Sequence, residues 1–311
     1  MASKKKDEIA SAAASPAATP AAAAPAGAAG ADGRRAAPAA GPSQAATSNA
    51  LREPAETLFR HELDALVAAD THEKPPGWRL SPRAVLTYVI GGEAKGVKIS
   101  AKYVGAPRLV EIAVATLATD RALLLIGEPG TAKSWLSEHL AAAISGDSQL
   151  LVQGTAGTSE EHIRYSWNYA LLLAEGPTER ALVPSPVYRA MGGGRLLRFE
   201  EITRCPSEVQ DALITMLSEK VLSVPELDTQ VKAQRGFNVI GTANTRDRGV
   251  NDMSAALKRR FNIVILPLPS DLATECDIVE KRVAEIGARL RLPAAPPARE
   301  AVQKIVQIFQ E

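Results

Sequence analysis

The stretch from Ala122 to Leu136 limits what this chain can fold into more than any other. It opens with the wholly apolar run Ala122-Leu123-Leu124-Leu125-Ile126, which reads as a buried parallel strand. After Lys133 the apolar residues Leu136, Leu140 and Ala143 return at helical spacing. Between strand and helix stand Gly127, Glu128, Pro129, Gly130, Thr131, Ala132, Lys133 and Ser134. These eight match the phosphate-binding pattern G-x-x-x-x-G-K-[ST] at every fixed position but one. A strand, a glycine-rich loop and a helix start in this order aim backbone N–H groups and the positive helix end at an anion. Lys133 is expected to reach the outer phosphates of a nucleotide, and the Ser134 hydroxyl to take Mg²⁺. The odd position is Ala132, where the pattern has glycine. A right-handed backbone is expected there, which admits alanine without strain.

Around this stretch, helical and strand patterns alternate. Phe59, Leu63, Leu66 and Val67 fall on one helical face, as do Val110, Ala113, Val114 and Leu117. Ser81-Pro82 is a cap followed by a first-turn proline, and Gly91-Gly92 stops the helix it begins. Beyond the loop, strands are predicted over 149–153, 196–200, 237–242 and 261–266. The helices between them start at a Thr158–Glu161 capping box and run to Trp167, at Ser185-Pro186, at Ser207 and at Ser254. Such an alternation means an α/β fold, a parallel sheet flanked by helices. Pro267 and Pro269 mark a boundary, and two helical patterns over 271–287 and 298–310 are expected to form a small separate α-helical subdomain. The domain boundaries are thus 1–50, 51–269 and 270–311. Residues 1–50 are rich in Ala, Pro, Gly and Ser with almost nothing to bury, the composition of a disordered arm.

Composition removes several classes of function. Lys and Arg (36) nearly cancel Asp and Glu (35) in the 311 residues, so no global field draws the chain to nucleic acid or anionic membrane. Aromatic residues are 4%, too few for base-stacking platforms. Cys205 and Cys276 lack ligand spacing, and the four histidines are scattered, against a disulfide framework or a zinc site. With no signal core and no membrane-length apolar run, a cytoplasmic protein is expected.

Hydrolysis needs more than a phosphate loop: a metal-side acid, a base for water and a contact to the γ-phosphate. The strand ending in Glu200-Glu201 puts two acids where ligands sit in open α/β sheets. Glu200 is expected to face the Mg²⁺ water shell and Glu201 to be the base for the attacking water, the alternative being a solvated acidic pair at a strand end. Asn244, ending a later strand, could hold the attacking water. Lys258-Arg259-Arg260 is either a solvated helix end or a source of an arginine for a neighbouring subunit's γ-phosphate, which predicts a ring.

The order Gly127–Ser134, Phe199-Glu200-Glu201-Ile202-Thr203-Arg204, Thr242-Ala243-Asn244 and Leu257-Lys258-Arg259-Arg260-Phe261 resembles AAA+ ATPases, most of all the MoxR-like branch. In that branch alanine before the loop lysine is usual. The segments Glu175–Pro184 and Val187–Met191 are similar to its inserted helical element. The resemblance spans about residues 80–270. It implies an AAA+ core with a helical lid, ATP and Mg²⁺ as cofactors, Glu201 as catalytic glutamate and Asn244 as sensor 1. Arg260 or Arg259 becomes the trans-acting finger. Tyr103-Val104-Gly105 is similar to the adenine-side segment. The family usually has Asp at the position of Glu200, and its late lid arginine, sensor 2, finds no match here. The resemblance also implies a homo-oligomeric ring, a hexamer, acting as a chaperone on a partner such as a von Willebrand factor A domain protein. The rival expectations are a nucleic-acid motor of restriction-subunit type, disfavoured by the balanced charge, and an ATP-binding scaffold with little turnover.

Overall fold

The computed structural model describes residues 52–245, 253–269, 271–290, 292 and 297–310; the expected arm of residues 1–50 lies outside them. Helices α1 (Ala55–Leu58), α2 (Arg60–Ala69) and α3 (Pro82–Ile90) come first, followed by the hairpin β1 (Gly92–Ala94) and β2 (Val97–Ile99) and by α4 (Pro107–Leu117). The expected start and stop of α3 are both in place. The Ser81 side chain accepts from the Ala84 N–H, Pro82 opens the helix and Gly91 ends it with φ 95°. Val110, Ala113, Val114 and Leu117 are all buried on α4, whereas Val67 on α2 faces outward beside buried Leu63 and Leu66.

The apolar run becomes β3 (Ala122–Gly127), and the loop feeds α5 (Lys133–Ser145). Then follow β4 (Leu151–Gln153), β5 (Tyr165–Trp167), α6 (Tyr169–Glu175), β6 (Leu182–Pro184), α7 (Pro186–Gly193) and β7 (Leu196–Glu200). The chain continues through α8 (Ser207–Glu219), the hairpin β8 (Val221–Val224) and β9 (Thr229–Lys232), β10 (Asn238–Asn244), α9 (Ala255–Lys258) and β11 (Phe261–Leu266). Helices α10 (Leu272–Arg289) and α11 (Arg299–Gln310) close the described chain.

Five strands form one sheet in the order β11-β3-β10-β7-β4, and every pairing in it is parallel. Parallel strands need crossovers that cover both sheet faces. One face packs on α3, α4 and α5 through Leu123, Leu125, Leu140 and Ile240. The other packs on α7 and α8 through Leu124, Phe199, Val209 and Leu213. Helices α10 and α11 have an apolar centre of their own at Cys276, Val302 and Val306. Among the described residues no helix is long and apolar enough to cross a membrane.

Two local expectations fail. Thr158 and Glu161 do not open a helix to Trp167. Instead Ser159 and His162 cap a single 3₁₀ turn over Glu160–His162, and Thr158 accepts from the Thr155 N–H at 2.9 Å. Tyr165 and Trp167 enter a strand because β5 has a partner in β6, Tyr165 opposite Pro184; pairing outweighs the local capping signal.

The second correction concerns the loop itself. Ala132 has φ 61° and ψ 26°, left-handed and not right-handed as expected, as the residue just before α5. The reason is geometric: the chain must turn out of the loop into the helix within one residue, and the left-handed well does so. A side chain there costs about 1–2 kcal/mol, part of which glycine would return to the unfolded chain as flexibility. Ala132→Gly is therefore expected to raise the thermal midpoint by about 1–3 °C in calorimetry. A fall would mean that the methyl group's contacts outweigh the backbone strain.

A candidate nucleotide site at the carboxyl edge of the sheet

The carboxyl ends of three adjacent strands meet at one edge. In register, Asn244 of β10 stands opposite Gly127 of β3, while β10 pairs on its other side with β7, whose last residue is Glu200. The order of the strands thus places Asn244 between the glycine-rich loop and the acidic pair. Open α/β sheets bind ligands at such an edge.

The loop is built around two glycines. A Cβ at Gly127 would stand 2.6 Å from both the Leu266 carbonyl and the Thr131 hydroxyl, so only glycine fits. Gly130 has φ 88°, and no atom lies within 4 Å of where a Cβ would stand, leaving the mouth of the loop clear. Thr131 Oγ1 donates to the Glu128 carbonyl at 2.9 Å and fixes the turn. Lys133 is buried, its ammonium donating to the carbonyls of Gly127 at 3.0 Å and Glu128 at 2.7 Å. These are neutral acceptors. A phosphate oxygen, which carries charge of its own, is a stronger acceptor for the ammonium.

Ser134 is the second residue of α5, and its hydroxyl donates to Glu200 Oε2 at 2.7 Å. Glu200 is almost fully buried. Its Oε2 also accepts from Thr242 Oγ1 at 2.7 Å, and its Oε1 from Ser137 Oγ at 2.6 Å and Arg198 Nη2 at 3.0 Å. Burial alone would push this carboxyl upward. The hydroxyls of Ser134, Ser137 and Thr242 and the charge of Arg198 outweigh it and hold Glu200 below the ordinary glutamate range. It is therefore ionised at neutral pH.

Glu201 is placed differently. Its backbone is left-handed, φ 54° and ψ 47°, and its N–H donates to Thr242 Oγ1 at 3.0 Å. That turn carries its side chain out of the strand to a half-exposed position, where it pairs with Arg204 at 2.7 Å. The two neighbouring acids thus meet different surroundings.

A cavity of 530 Å³ adjoins the loop at Gly130, Thr131 and Ala132. Tyr103 and Val104 form one wall; Lys281 and Arg282 of α10 form another. Lys281 Nζ donates to the Ala101 carbonyl. The Arg282 guanidinium lies 3.8 Å from the ring centre of Trp135. A larger cavity of 780 Å³ lies beside it, also reached by Arg282 and lined by Trp135 and His139. Burial, followed by the nearby charges of Lys102, Arg282, Arg198 and Arg52, pushes the His139 pKa down to about 2. That histidine is neutral.

Arg259 and Arg260 do not join this group. The Ala122 N–H, at the start of β3, donates to the Arg260 carbonyl at 3.1 Å. Both arginines therefore sit at the amino edge of the sheet, about 17 Å from Gly127 at ~3.3 Å per residue. Arg260 donates to Ser218 Oγ at 2.9 Å and to the Ala256 carbonyl at 2.8 Å, while Arg259 is exposed.

The pattern-based expectation missed Ser137, Arg198 and Thr242 around Glu200, and the α10 pair Lys281 and Arg282. A signal for the first group exists. Arg198 is a charge among the apolar residues Leu196, Leu197 and Phe199 of an interior strand, on the same face as Glu200 by alternation.

Residues 122–261 of this chain match the model of the AAA domain, dynein-related subfamily. A relationship over most of the chain adds to it. The uncharacterized protein YehL of Escherichia coli strain K12 is 49% identical over 264 residues, 84% of this chain and 72% of YehL. An uncharacterized protein of Staphylococcus aureus strain USA300, SAUSA300_1302, is 28% identical over 146 residues, 47% of this chain and 55% of that protein. Among solved structures, NtrX of Brucella abortus in complex with ADP aligns with a TM-score of 0.43 and 16% identity, over 64% of this chain and 46% of that one.

Proposed function

We propose that this protein binds MgATP at residues 127–134 and hydrolyses it between the subunits of a homo-oligomeric ring. The observation that carries the proposal is the contact of Ser134 with Glu200 at 2.7 Å, at the same sheet edge as Glu201 and Asn244. A phosphate loop, a metal-side acid, a second acid and a neutral polar side chain are the parts that phosphoryl transfer to water requires.

The donor set fits Mg²⁺. Magnesium keeps most of its waters and takes one or two protein oxygens plus phosphate; Ser134 Oγ would be such an oxygen, with Glu200 Oε2 beside it to accept from a metal-bound water. Once bound, the ion would neutralise charge on the phosphates. The chain does the rest. The loop N–H groups and Lys133 hold and orient the phosphates, Asn244 positions a water, and Glu201 takes its proton. Tyr103 and Val104 bound the space for the base.

Neither Arg259 nor Arg260 can reach the loop of its own subunit across the sheet. Their place supports a role on a neighbour's phosphate, and the exposure of Arg259 favours it for the longer reach. Work done by such a ring follows the MoxR-like pattern that the motifs resemble: relative motion of core and lid remodels or matures a partner protein. A von Willebrand factor A domain protein is the partner class the resemblance offers.

The shared site has a direct test. Lys133→Ala and the double variant Arg259→Ala, Arg260→Ala are each expected to lose ATPase activity alone. Mixed in equal amounts, they restore part of it, because some junctions pair an intact loop with an intact arginine. No recovery at any mixing ratio, with mixed oligomers shown to form, would rule out a site completed in trans.

A further inference from the structure

Arg198 is a charged residue in the middle of a core strand, 6% exposed. Its guanidinium is engaged on every side. Nε donates to Ser137 Oγ at 3.0 Å, Nη1 to the Ser148 carbonyl at 3.1 Å, and Nη2 to Glu200 Oε1 at 3.0 Å and the Ser134 carbonyl at 3.2 Å. It thus braces both metal-side groups at once, the side chain of Glu200 and the main chain of Ser134. Ser137 completes the brace, since it lies one helical turn after Ser134 and donates to Glu200 Oε1 at 2.6 Å.

The two carboxylate oxygens are divided between two sets of partners. Oε1 belongs to Arg198 and Ser137; Oε2 belongs to Ser134 and Thr242. Glutamate is one methylene longer than aspartate and has one more torsion to fix. Without partners on Oε1, the hold on Oε2 against the Ser134 hydroxyl would fall to Thr242.

We propose that Arg198 is a positioning residue: with Ser137 it grips Oε1 of Glu200 so that Oε2 is presented to the Ser134 hydroxyl, fitting a glutamate to the metal side of the site. The proposal rests on the MgATP reading above. It follows that aspartate at position 200 is a poor substitute in this chain. Its carboxylate would be drawn back by roughly one bond length and could not hold all four partners. Displacements near 1 Å at such a group cost as much as about 10²-fold.

The test measures the binding of a fluorescent ADP over a MgCl₂ titration and in EDTA, without any turnover. Arg198→Met is expected to raise the Mg²⁺ concentration for half-maximal tight binding about tenfold or more, the scale seen for residues that orient metal ligands. Affinity in EDTA should stay within about threefold of wild type, because Lys133 and the loop are untouched. Glu200→Asp should shift the Mg²⁺ curve likewise in the wild-type background and add little in Arg198→Met, the non-additivity of residues acting as a unit. Should Arg198→Met fail to fold, as a thermal melt would reveal, Ser137→Ala removes the other Oε1 donor at little cost in volume; it is expected to shift the curve in the same direction. A wild-type Mg²⁺ curve in the folded variant, or an equal loss with and without Mg²⁺, overturns the positioning role alone. Wild-type protein that binds no ADP under either condition overturns the nucleotide reading and this inference with it.

Discussion

Alanine at position 133 is expected to weaken ATP and ADP binding about 100-fold. The ammonium of Lys133 is buried against the carbonyls of Gly127 and Glu128, at the floor of the loop. A hydrogen bond to a charged group contributes about 1.5–3 kcal/mol, and each ~1.4 kcal/mol is tenfold in affinity. Loss of this one cation therefore removes about two orders of magnitude. Isothermal titration of the variant checks it, with a thermal melt as the control for folding. Unchanged affinity would show that the loop does not hold phosphate, whatever its pattern.

Glu201→Gln is expected to act on turnover and not on binding. The amide keeps the size of the side chain but accepts no proton, and losing a general base costs roughly 10²–10⁴-fold in rate. The variant should bind ATP as well as wild type does and hydrolyse it hundreds of times more slowly. Because Glu201 is half-exposed and paired with Arg204 on the surface, little stability goes with it. The same variant, held in its ATP-bound state, is the bait for a partner protein. A hydrolysis rate equal to wild type would move the base elsewhere; near-zero rates in both would favour an ATP-binding scaffold.

Much of the fold is legible in the residues alone. The apolar run 122–126 marks an interior strand, and Leu196–Glu200 and Phe261–Leu266 are strands over the residues expected. Helical spacing finds α4 and α8, and Ser-Pro pairs find the starts of α3 and α7. These signals are local, or they repeat with a period. Where the outcome depends on a distant partner, local signals fail. Tyr165 and Trp167 form a strand because residues 182–184 lie beside them. The hairpins of β1–β2 and β8–β9 are not foreseen, since each strand is three or four residues long. Ala132 shows a different limit: the residue type says nothing of the turn that the loop imposes on it.

The site divides along the same line. The loop and the acids are contiguous in sequence and are found from it. Thr242, Ser137 and Arg198 converge on Glu200 from a neighbouring strand, a helix and its own strand, a meeting that only the fold arranges. Likewise Lys281 and Arg282 reach the cavity because α10 is folded back against residues 101–106 and the loop.

The turn at Glu201 has a chemical consequence. A base that accepts a proton from water must afterwards release it to bulk solvent, or it works only once. Glu200, enclosed by three hydroxyls and a guanidinium, has no such exit; it can hold charge but cannot cycle it. One residue later the left-handed backbone sets Glu201 at the surface, where proton egress is open. On the proposed reading, two identical side chains, adjacent in the chain, are thereby sorted into a fixed charge and a renewable one by the backbone turn at Glu201.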